Sequence, residues 1–427
     1  MEGFFTKKQT ESKTQVKGRR LTCESCGLYK DIQSPRMEPF GNFKLKIMNI
    51  GEAPGATEDA RGKQWQGKVG NLLQRTLKEL GIDLFNDCIN INACNCRPVK
   101  PDGSNGTPTP LQIDCCRARV VSAIEKYKPK VIVLFGESAI RSIIGNRWKK
   151  DLGTGSGSSG IVTKWRGWTI PDQDFKCWIC PTFHPSYIER SDEGGVEETI
   201  WRQDLKQAIE MLKEPFPVHI EPEIEVISDL NELNYSVMES SNFGKTKVHA
   251  PPLMGAFDYE TTGLKPHAEG QRIICASVAY SKNHAYAFMM PEKRRQLYPF
   301  LEFITDPLIK KIASNMKFEH VWSKVRLGVE VKGWYWDTML FAHVFDNRQG
   351  ITSIKFLTYV LFGIVDYDSE VAPYLKAKDE KDGNALNRIT ELLKIPGGRE
   401  MLLKYNGWDS VCEFRACEWQ MQQVLPF

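Results

Sequence analysis

No stretch of this 427-residue sequence approaches the roughly 18 consecutive apolar residues that a bilayer-crossing helix requires, and no signal peptide opens it. A membrane-spanning role and a secretory route are set aside on this reading, and a soluble, cytoplasmic protein is expected. Charge of one sign is not in excess: 57 Lys and Arg stand against 53 Asp and Glu, a formal net charge of +4. So slight a balance neither demands nor excludes a polyanionic partner, which has to be argued from local sites. No internal repeat links the two halves. Low complexity is confined to "GTGSGSSG" at 153–160, which reads as a loop.

Cysteine, by contrast, is plentiful. Twelve are many for a reducing compartment, where structural disulfides are rare and clustered thiols more often hold a metal or an iron-sulfur centre. Cys23 and Cys26 form a C-x2-C, Cys88, Cys94, Cys96, Cys115 and Cys116 crowd one later stretch, and Cys177 with Cys180 forms a second C-x2-C. Cys275, Cys412 and Cys417 lie apart and read as core or surface thiols.

At roughly 100 to 200 residues per domain the length predicts two domains. The first half alternates strand and helix signals: "FKLKIMNIG", "DCININACN" and "KVIVLFG" are apolar strands, while "VGNLLQRTLKELG" places Leu72, Leu73, Leu77 and Leu80 on one helical stripe closed by Gly81. A helix is expected from about 111 to 127, and another over "ESAIRSIIG". An α/β domain with a mostly parallel sheet follows. Three prolines and alternating charge in "KEPFPVHIEPEIE" mark a linker at about 214–221, giving domains at 1–213 and 222–427. Beyond it, "LMGAFDYETTG", "RIICASVAYS" and "HAYAFMM" read as three neighbouring strands before mainly helical sequence.

In parallel α/β sheets ligands sit beyond the carboxyl ends of strands, where loops converge. "GEAPG" occupies such an end: its Gly-Pro-Gly turn lets backbone approach a ligand, and Glu52 offers a carboxylate to hold a water or oppose developing positive charge. Taken alone it is only a turn. Trp65 in "GKQWQG", Asn92 at another strand end and His184 in "PTFHPSY" add an aromatic plate, an amide and an imidazole, a set suited to a planar polar heterocycle. Tyr187 and Arg190 follow as candidates for entering the duplex or touching phosphate.

Residues 20 to about 213 resemble family 4 uracil-DNA glycosylases, the iron-sulfur class, through "GEAPGATEDARGKQWQGKVGNLL", "NACNCRP", "PTPLQIDCC", "KPKVIVLFGESA" and "TFHPSYIER" in the family's order. The resemblance implies that the Glu52 loop, with Gly51 and Ala53 lining the base site, positions the hydrolytic water. It further implies that Trp65 stacks on the flipped base, Asn92 reads the uracil edge and His184 stabilises the departing uracil anion. The family usually carries Phe where Trp65 stands, which bears on pocket width. The same resemblance implies a [4Fe-4S] cluster on Cys23, Cys26, Cys96 and Cys116, with Cys115 as the rival fourth ligand. A zinc site of Cys23, Cys26, Cys177 and Cys180 is the competing arrangement, because paired C-x2-C motifs also fit tetrahedral zinc.

In "FDYETTGL" Asp258 and Glu260 stand two apart on a strand and so share one face, opposite Phe257 and Tyr259. Two carboxylates on an apolar strand are costly unless a cation sits between them. "YNGWD" places Tyr405 and Asp409 on one helix face, and "NMKFEHVW" supplies Glu319. These residues resemble the motifs of DEDD-superfamily 3′-5′ exonucleases, in the Tyr-containing branch of family A DNA polymerases, with a ribonuclease H-like fold over 222–427. "WDTMLFAHVFDNRQGITSIKFLTYVLFG" looks especially like phage polymerases of that family. The resemblance implies two Mg2+ or Mn2+ ions held by Asp258, Glu260 and Asp409, with Tyr405 orienting the attacking water. Glu319 stands where the family commonly has Asp, and Asp337 in "YWDTML" is a substitute candidate.

The resulting expectation is a phage-type DNA-processing replication protein with uracil-DNA glycosylase and 3′-5′ exonuclease activities. It would act on single-stranded, primer-template or uracil-containing DNA beside a DNA polymerase domain or subunit, in the host cytoplasm if viral. Two alternatives stay open: a non-catalytic module that senses uracil or grips template, and a scaffold for a polymerase. The end at "EWQMQQVLPF" resembles the helix leading toward a polymerase palm, so the chain is expected to be a fragment or to work with a separate synthetic polypeptide.

Overall fold

The computed structural model describes residues 15–16, 19–148, 150, 152–153, 160–192, 194–233, 253–377 and 384–424. Most of the Gly/Ser loop expected at 153–160 lies outside these residues. The chain divides into two compact units. The first runs to His219 and also takes in Arg348–Gly350 and Tyr359–Val365; the second holds the remainder, from Ile220 to the end. The short returning segments, which sequence alone assigns to the second half, are drawn into the first unit by specific contacts. Arg348 donates to the carbonyls of Thr163 and Arg166 at 2.9 and 2.6 Å, and the Tyr359 ring stacks on Trp148 with centroids 5.8 Å apart.

In the first unit a short antiparallel pair, β1 (Gln15–Val16) and β2 (Arg19–Arg20), precedes a five-stranded sheet of β3 (Ile47–Gly51), β4 (Cys88–Asn92), β5 (Val131–Phe135), β6 (Ile170–Asp172) and β7 (Cys177–Thr182). The order is β4-β3-β5-β7-β6, parallel throughout except for β6 against β7. Every residue of β3, β4 and β5 is buried, as expected of strands covered by helices on both faces. Helices Lys68–Glu79, Pro110–Tyr127, Gly136–Arg147 and Val196–Glu210 supply that cover. Leu73 and Leu77 of the predicted stripe are buried, with Leu72 and Leu80 packed at its margin. The parallel register brings Gly51, Asn92, Phe135 and Thr182 to the same edge, so the loops after β3, β4, β5 and β7 converge.

The second unit has a six-stranded sheet: β8 (Glu223–Val226), β9 (Met254–Thr261), β10 (Ile273–Ser281), β11 (His284–Met289), β12 (Lys310–Ala313) and β13 (Trp334–Asp337), ordered β13-β12-β9-β10-β11-β8. The three strands read from sequence, β9 to β11, form an antiparallel meander, flanked by parallel partners at either side. Alternation along β9 sorts its side chains. Phe257 and Tyr259 enter an aromatic core with Phe300, Phe303 and Trp322. Ala256 faces the other way, under Val411, Phe414 and Cys417 of the long helix Gly398–Val424. Small residues Ala256, Ala279 and Ala285 let that helix lie close to the sheet, and Ser277 Oγ clamps it through the Asn406 carbonyl and Ser410 Oγ, both at 2.7 Å. Overfilling this floor would lift the helix. Ala256→Leu is expected to lower unfolding stability by about 1–3 kcal/mol, measured by denaturant titration. An unchanged midpoint would show that the helix does not rest there.

Candidate active sites

The convergent loops of the first unit enclose a cavity of about 460 Å3 lined by Glu52, Ala53, Trp65, Asn92, His184 and Arg190, among others. Residues scattered over some 140 positions of sequence thus meet, because each follows or approaches a strand end on one edge. Gly51 makes the closeness possible: a Cβ there would lie 2.5 Å from Asn92 Oδ1 and 2.9 Å from Trp65 Cζ2. Gly136 does the same for the imidazole. It sits at φ 81°, and a Cβ would fall 2.9 Å from that of His184.

The ring of His184 is fixed by its own loop. The Ser186 backbone N–H donates to Nδ1 at 3.2 Å, and Ser186 Oγ lies 2.8 Å from the same nitrogen. Nδ1 therefore presents its lone pair, and the neutral ring carries its proton on Nε2. Burial, with Arg190 adding, pushes the imidazole down to about 4, so it is uncharged at neutral pH. Glu52 is shifted the opposite way: burial raises its carboxyl, while a 3.4 Å hydrogen bond donated by Ser138 Oγ partly offsets this. Trp65 adopts φ 58° and places its ring edge-on to Phe135 and tilted by 32° against His184, with centroids 5.5 and 5.7 Å away. Its Nε1 is buried with no acceptor. Tyr187 is exposed and stacks on Phe183 at 5.0 Å, whereas Arg190 reaches the cavity itself.

The cysteines sort into two groups. Cys23 and Cys26 lie on a short helix, Cys23–Cys26, that packs on Pro110–Tyr127, the helix carrying Cys115 and Cys116. Cys96, Cys115 and Cys116 all face Cys23 or Cys26. Arg36, absent from the sequence reading, donates its backbone N–H to Cys96 Sγ at 3.3 Å and its Nε–H to Cys23 Sγ at 3.2 Å. Such donors stabilise thiolates. A hydrogen bond from Cys94 draws the Cys116 thiol down to about 7, while burial raises Cys96 and Cys115 to about 11. Soft sulfur donors with N–H support fit an iron-sulfur group. The competing zinc set is not assembled: Cys177 and Cys180 lie buried in β7, where Cys177 faces Asp172 and Arg147 and Cys180 faces Asp204.

In the second unit Asp258, Glu260 and Asp409 each offer a carboxylate oxygen within 4.8 Å of the others. The pattern of hard oxygen donors fits a divalent cation. Burial and then the Asp409 charge push Asp258 up to about 8, and burial raises Glu260 well above the carboxylate range. Asn406 Nδ2 donates to Asp258 Oδ2 at 2.7 Å. Two residues that sequence reasoning passed over hold Asp409: the Lys355 ammonium donates to Oδ1, and Tyr367 Oη donates to it at 2.6 Å. Lys355 lies 4.4 Å from the ring centroids of both Tyr367 and Tyr405. No periodicity marks such residues, because they come from a separate helix and loop. Glu319 is buried and faces Asp258, with its carboxyl raised by burial. Asp337, the substitute candidate, is engaged otherwise: it accepts from the backbone N–H groups of Asn315, Met316, Met339 and Leu340 at 3.0 to 3.1 Å, capping two helices.

A loop-lined pocket on one fold and a carboxylate cluster on another agree with two family matches that point to DNA processing. Residues 38–210 match the Uracil DNA glycosylase superfamily and residues 224–378 match the 3'-5' exonuclease family. The Type-4 uracil-DNA glycosylase of Thermotoga maritima is 30% identical over 198 residues, covering 46% of this chain and 93% of that protein. The corresponding enzyme of Archaeoglobus fulgidus is 29% identical over 42% of this chain and 83% of its own length. A DNA polymerase of Bacillus phage SP01 is 22% identical over 86% of this chain, which spans 40% of that polymerase. Among solved structures, Trypanosoma brucei RNase D is 15% identical with a TM-score of 0.35, covering 46% of this chain and 64% of that one. Through its first unit the chain belongs to the uracil-DNA glycosylase superfamily, with type-4 relatives, and it carries a 3'-5' exonuclease domain in the second. Among the described residues no helix is long and apolar enough to cross a membrane.

The depressed His184 gives a signed expectation. Between about 4 and its ordinary 6.5 the unfolded chain takes up a proton that the folded ring refuses, so this residue's contribution to stability rises with pH across that window and fades as pH falls. The difference in stability between the wild type and His184→Asn should therefore narrow on acidification from pH 7 to 4. A difference constant with pH, in paired denaturation curves, would contradict the assigned neutral ring.

Proposed function

We propose that the second unit is a 3′-5′ DNA exonuclease and that the first recognises uracil in DNA and excises it. The observation that carries the nuclease reading is the meeting of the Asp258, Glu260 and Asp409 oxygens within 4.8 Å. Two divalent ions held by these carboxylates would supply Lewis-acid stabilisation of phosphodiester hydrolysis. Tyr405, on the same helix as Asp409, orients the attacking water. Beside Glu260 a cavity of about 350 Å3, lined by Tyr259, Thr261, Leu264 and Phe318 among others, can receive the terminal nucleoside.

In the first unit Trp65 offers its face to a flipped base and Asn92 reads its edge. The proton on His184 Nε2 then donates to the carbonyl oxygen that gains charge as uracil departs. A neutral donor held in place by Ser186 stabilises that developing anion more than the resting base, which is what lowers a barrier. Glu52 holds the water that attacks the sugar. Cys23, Cys26, Cys96 and Cys116 would hold a [4Fe-4S] cluster that braces the loop bearing Asn92. Similarity to a phage DNA polymerase across both units supports a site of action beside a DNA polymerase domain or subunit. A second reading, binding without excision, is favoured by Trp65, whose indole takes up space usually left to a smaller ring and whose Nε1 lacks an acceptor.

One assay tests both activities: a labelled oligonucleotide bearing an internal uracil and a mismatched 3′ end, incubated with Mg2+ and resolved after alkaline cleavage. Shortening from the 3′ end and scission at the uracil are both expected. His184→Asn should slow excision by about 10²- to 10³-fold while leaving trimming intact, and Asp258→Asn should abolish trimming alone. Uracil-dependent binding without abasic product, converted to excision by Trp65→Phe, would select the second reading. Trimming that persists in Asp258→Asn would remove the carboxylates from the chemistry.

A further inference from the structure

The edge of the first unit's sheet opposite the cavity is rich in lysine. Residues leading into the parallel strands line up there, because the order β4-β3-β5-β7 sets the strand starts side by side. Lys44 and Lys46 precede β3, Lys128 and Lys130 precede β5, and Lys176 precedes β7. Backbone bonds fix the row: the Lys44 N–H donates to the Asn86 carbonyl at 3.1 Å, the Lys130 N–H to that of Lys46 at 2.9 Å, and the Trp178 N–H to that of Lys130 at 2.9 Å. Neighbouring strands lie about 4.8 Å apart, so lysines at successive starts fall within reach of a single polyanion. All of them are exposed, and among the described residues none is held in an ion pair. Of the acids here, Asp172 and Asp174 pair with Arg147, Asp83 accepts the Phe85 and Asn86 N–H groups, and Asp87 accepts that of Asp83. Glu125 faces solvent from the preceding helix.

The backbone at these strand starts is unusual as well. Lys46, Lys128 and Lys176 stand at φ 58°, 50° and 54°, and Phe43, whose carbonyl accepts the Lys46 N–H, stands at 61°. This left-handed region suits glycine or asparagine and disfavours a lysine. Elsewhere the chain meets the same demand with glycine, as at Gly81 and Gly167. The other non-glycine residues in that region, among those described, lie at or beside the candidate centres: Trp65 in the base cavity, Arg36 at the thiols, Asn315 capping the helix that bears Glu319, and Asp366 next to Tyr367. Lysines retained where asparagine would sit without strain point to a use for their charge. Two half-buried rings accompany them: Phe43 meets Tyr127 edge-on at 5.5 Å, and the Lys126 ammonium lies 5.2 Å from the Tyr127 ring centroid.

We propose that this edge is a further DNA-binding surface, gripping the phosphate backbone of a segment away from the base cavity. This rests on the DNA-processing reading of the chain and goes beyond it. Strands of five residues separate the two edges by roughly 17 Å, so a flipped nucleotide in the cavity leaves the lysine row to other phosphates of the same DNA. Contacts of this kind position DNA without reading its sequence. A row of unpaired cations flanked by aromatic rings suits a chain of evenly spaced phosphates, whereas a protein partner would call for an apolar centre that this edge does not offer.

Binding of uracil-free duplex DNA to the full chain, followed by fluorescence anisotropy over a range of salt, tests the assignment. Combining Lys46→Asn, Lys128→Asn and Lys176→Asn should weaken affinity about tenfold or more and flatten the slope of log affinity against log salt by about 2 to 3, at roughly 0.9 per phosphate contact. Melting of that variant should hold or rise, since asparagine accepts the left-handed backbone, whereas lysines with a merely structural role would lower melting on replacement and leave the slope alone. Arginine at the same positions should keep the wild-type slope. Trimming of 3′ ends at saturating DNA, assigned to the second unit, should be unchanged. Should the asparagine variant not fold, Lys44→Gln with Lys130→Gln replaces it and should flatten the slope by about 1 to 2. Wild-type affinity and slope in the folded variant overturn the proposal while leaving the DNA-processing reading standing. A polyglutamate peptide that binds wild type but not the variant, with DNA binding equal in the two, overturns it in favour of an acidic protein partner. Failure of wild type to bind DNA at all sinks both.

Discussion

The second unit depends on how closely a helix can approach a sheet. Asp258 and Glu260 point from β9 toward the long helix, and Asp409 points back, so the distance between backbone layers sets the distance between charges. Alanines beneath Val411 and Phe414 and the Ser277 clamp bring those layers together. The same close packing buries Glu260 and Asp409 and half-buries Asp258, and desolvation together with the Asp409 charge lifts Asp258 to about 8. Stability and reactivity pull apart here. A fold that wished only to persist would not bury like charges, and this one tolerates them through local neutralisers: the Lys355 ammonium, the Tyr367 hydroxyl and the Asn406 amide.

Much of this was legible in the sequence where a period or a strand end carried the signal. Alternation along "FDYET" put the acids on one face because strand geometry admits no other outcome. Strand-end positions of Gly51 and Asn92, and of His184 just past β7, foretold their meeting, since a parallel sheet gathers its carboxyl ends. What escaped reading depends on tertiary closure. Lys355, Tyr367 and Arg36 sit on segments with ordinary composition, and each acquires its role from whatever the fold sets opposite it. Asp337 shows the reverse case: an acid near a nuclease motif whose four backbone donors make it a cap. The segments at 348–350 and 359–365 likewise cross to the first unit for reasons that lie in Trp148 and the carbonyls of Thr163 and Arg166.

The clustered cysteines of the first unit illustrate a related separation of local and global information. The Cys23–Cys26 helix is too short to be stable by itself. It is positioned by the longer helix below it and by Arg36, whose two N–H groups bridge Cys23 and Cys96. On the proposed reading, an inorganic core joining Cys23, Cys26, Cys96 and Cys116 would cross-link three separate chain segments, and the loop between β4 and Pro110–Tyr127 would be tied to the amino-terminal segment. Asn92 directly precedes that loop, so such a group would govern where the amide proposed to read the base stands without touching DNA.

Both centres bury their polar groups before the reactant arrives, yet they solve opposite electrostatic problems. The nuclease centre accumulates negative charge and needs cations to discharge it. On the proposed reading the glycosylase-like pocket would receive an anion that exists only as the glycosidic bond opens, and Arg190 already lends the cavity a fixed positive charge. A neutral imidazole adds no second one. With Nδ1 occupied by Ser186 and protonation disfavoured by burial and Arg190, His184 presents a dipole whose interaction grows only as charge develops on the base. On the proposed reading, low basicity would confine its contribution to the transition state, and the loop that fixes the tautomer would matter as much as the ring it holds.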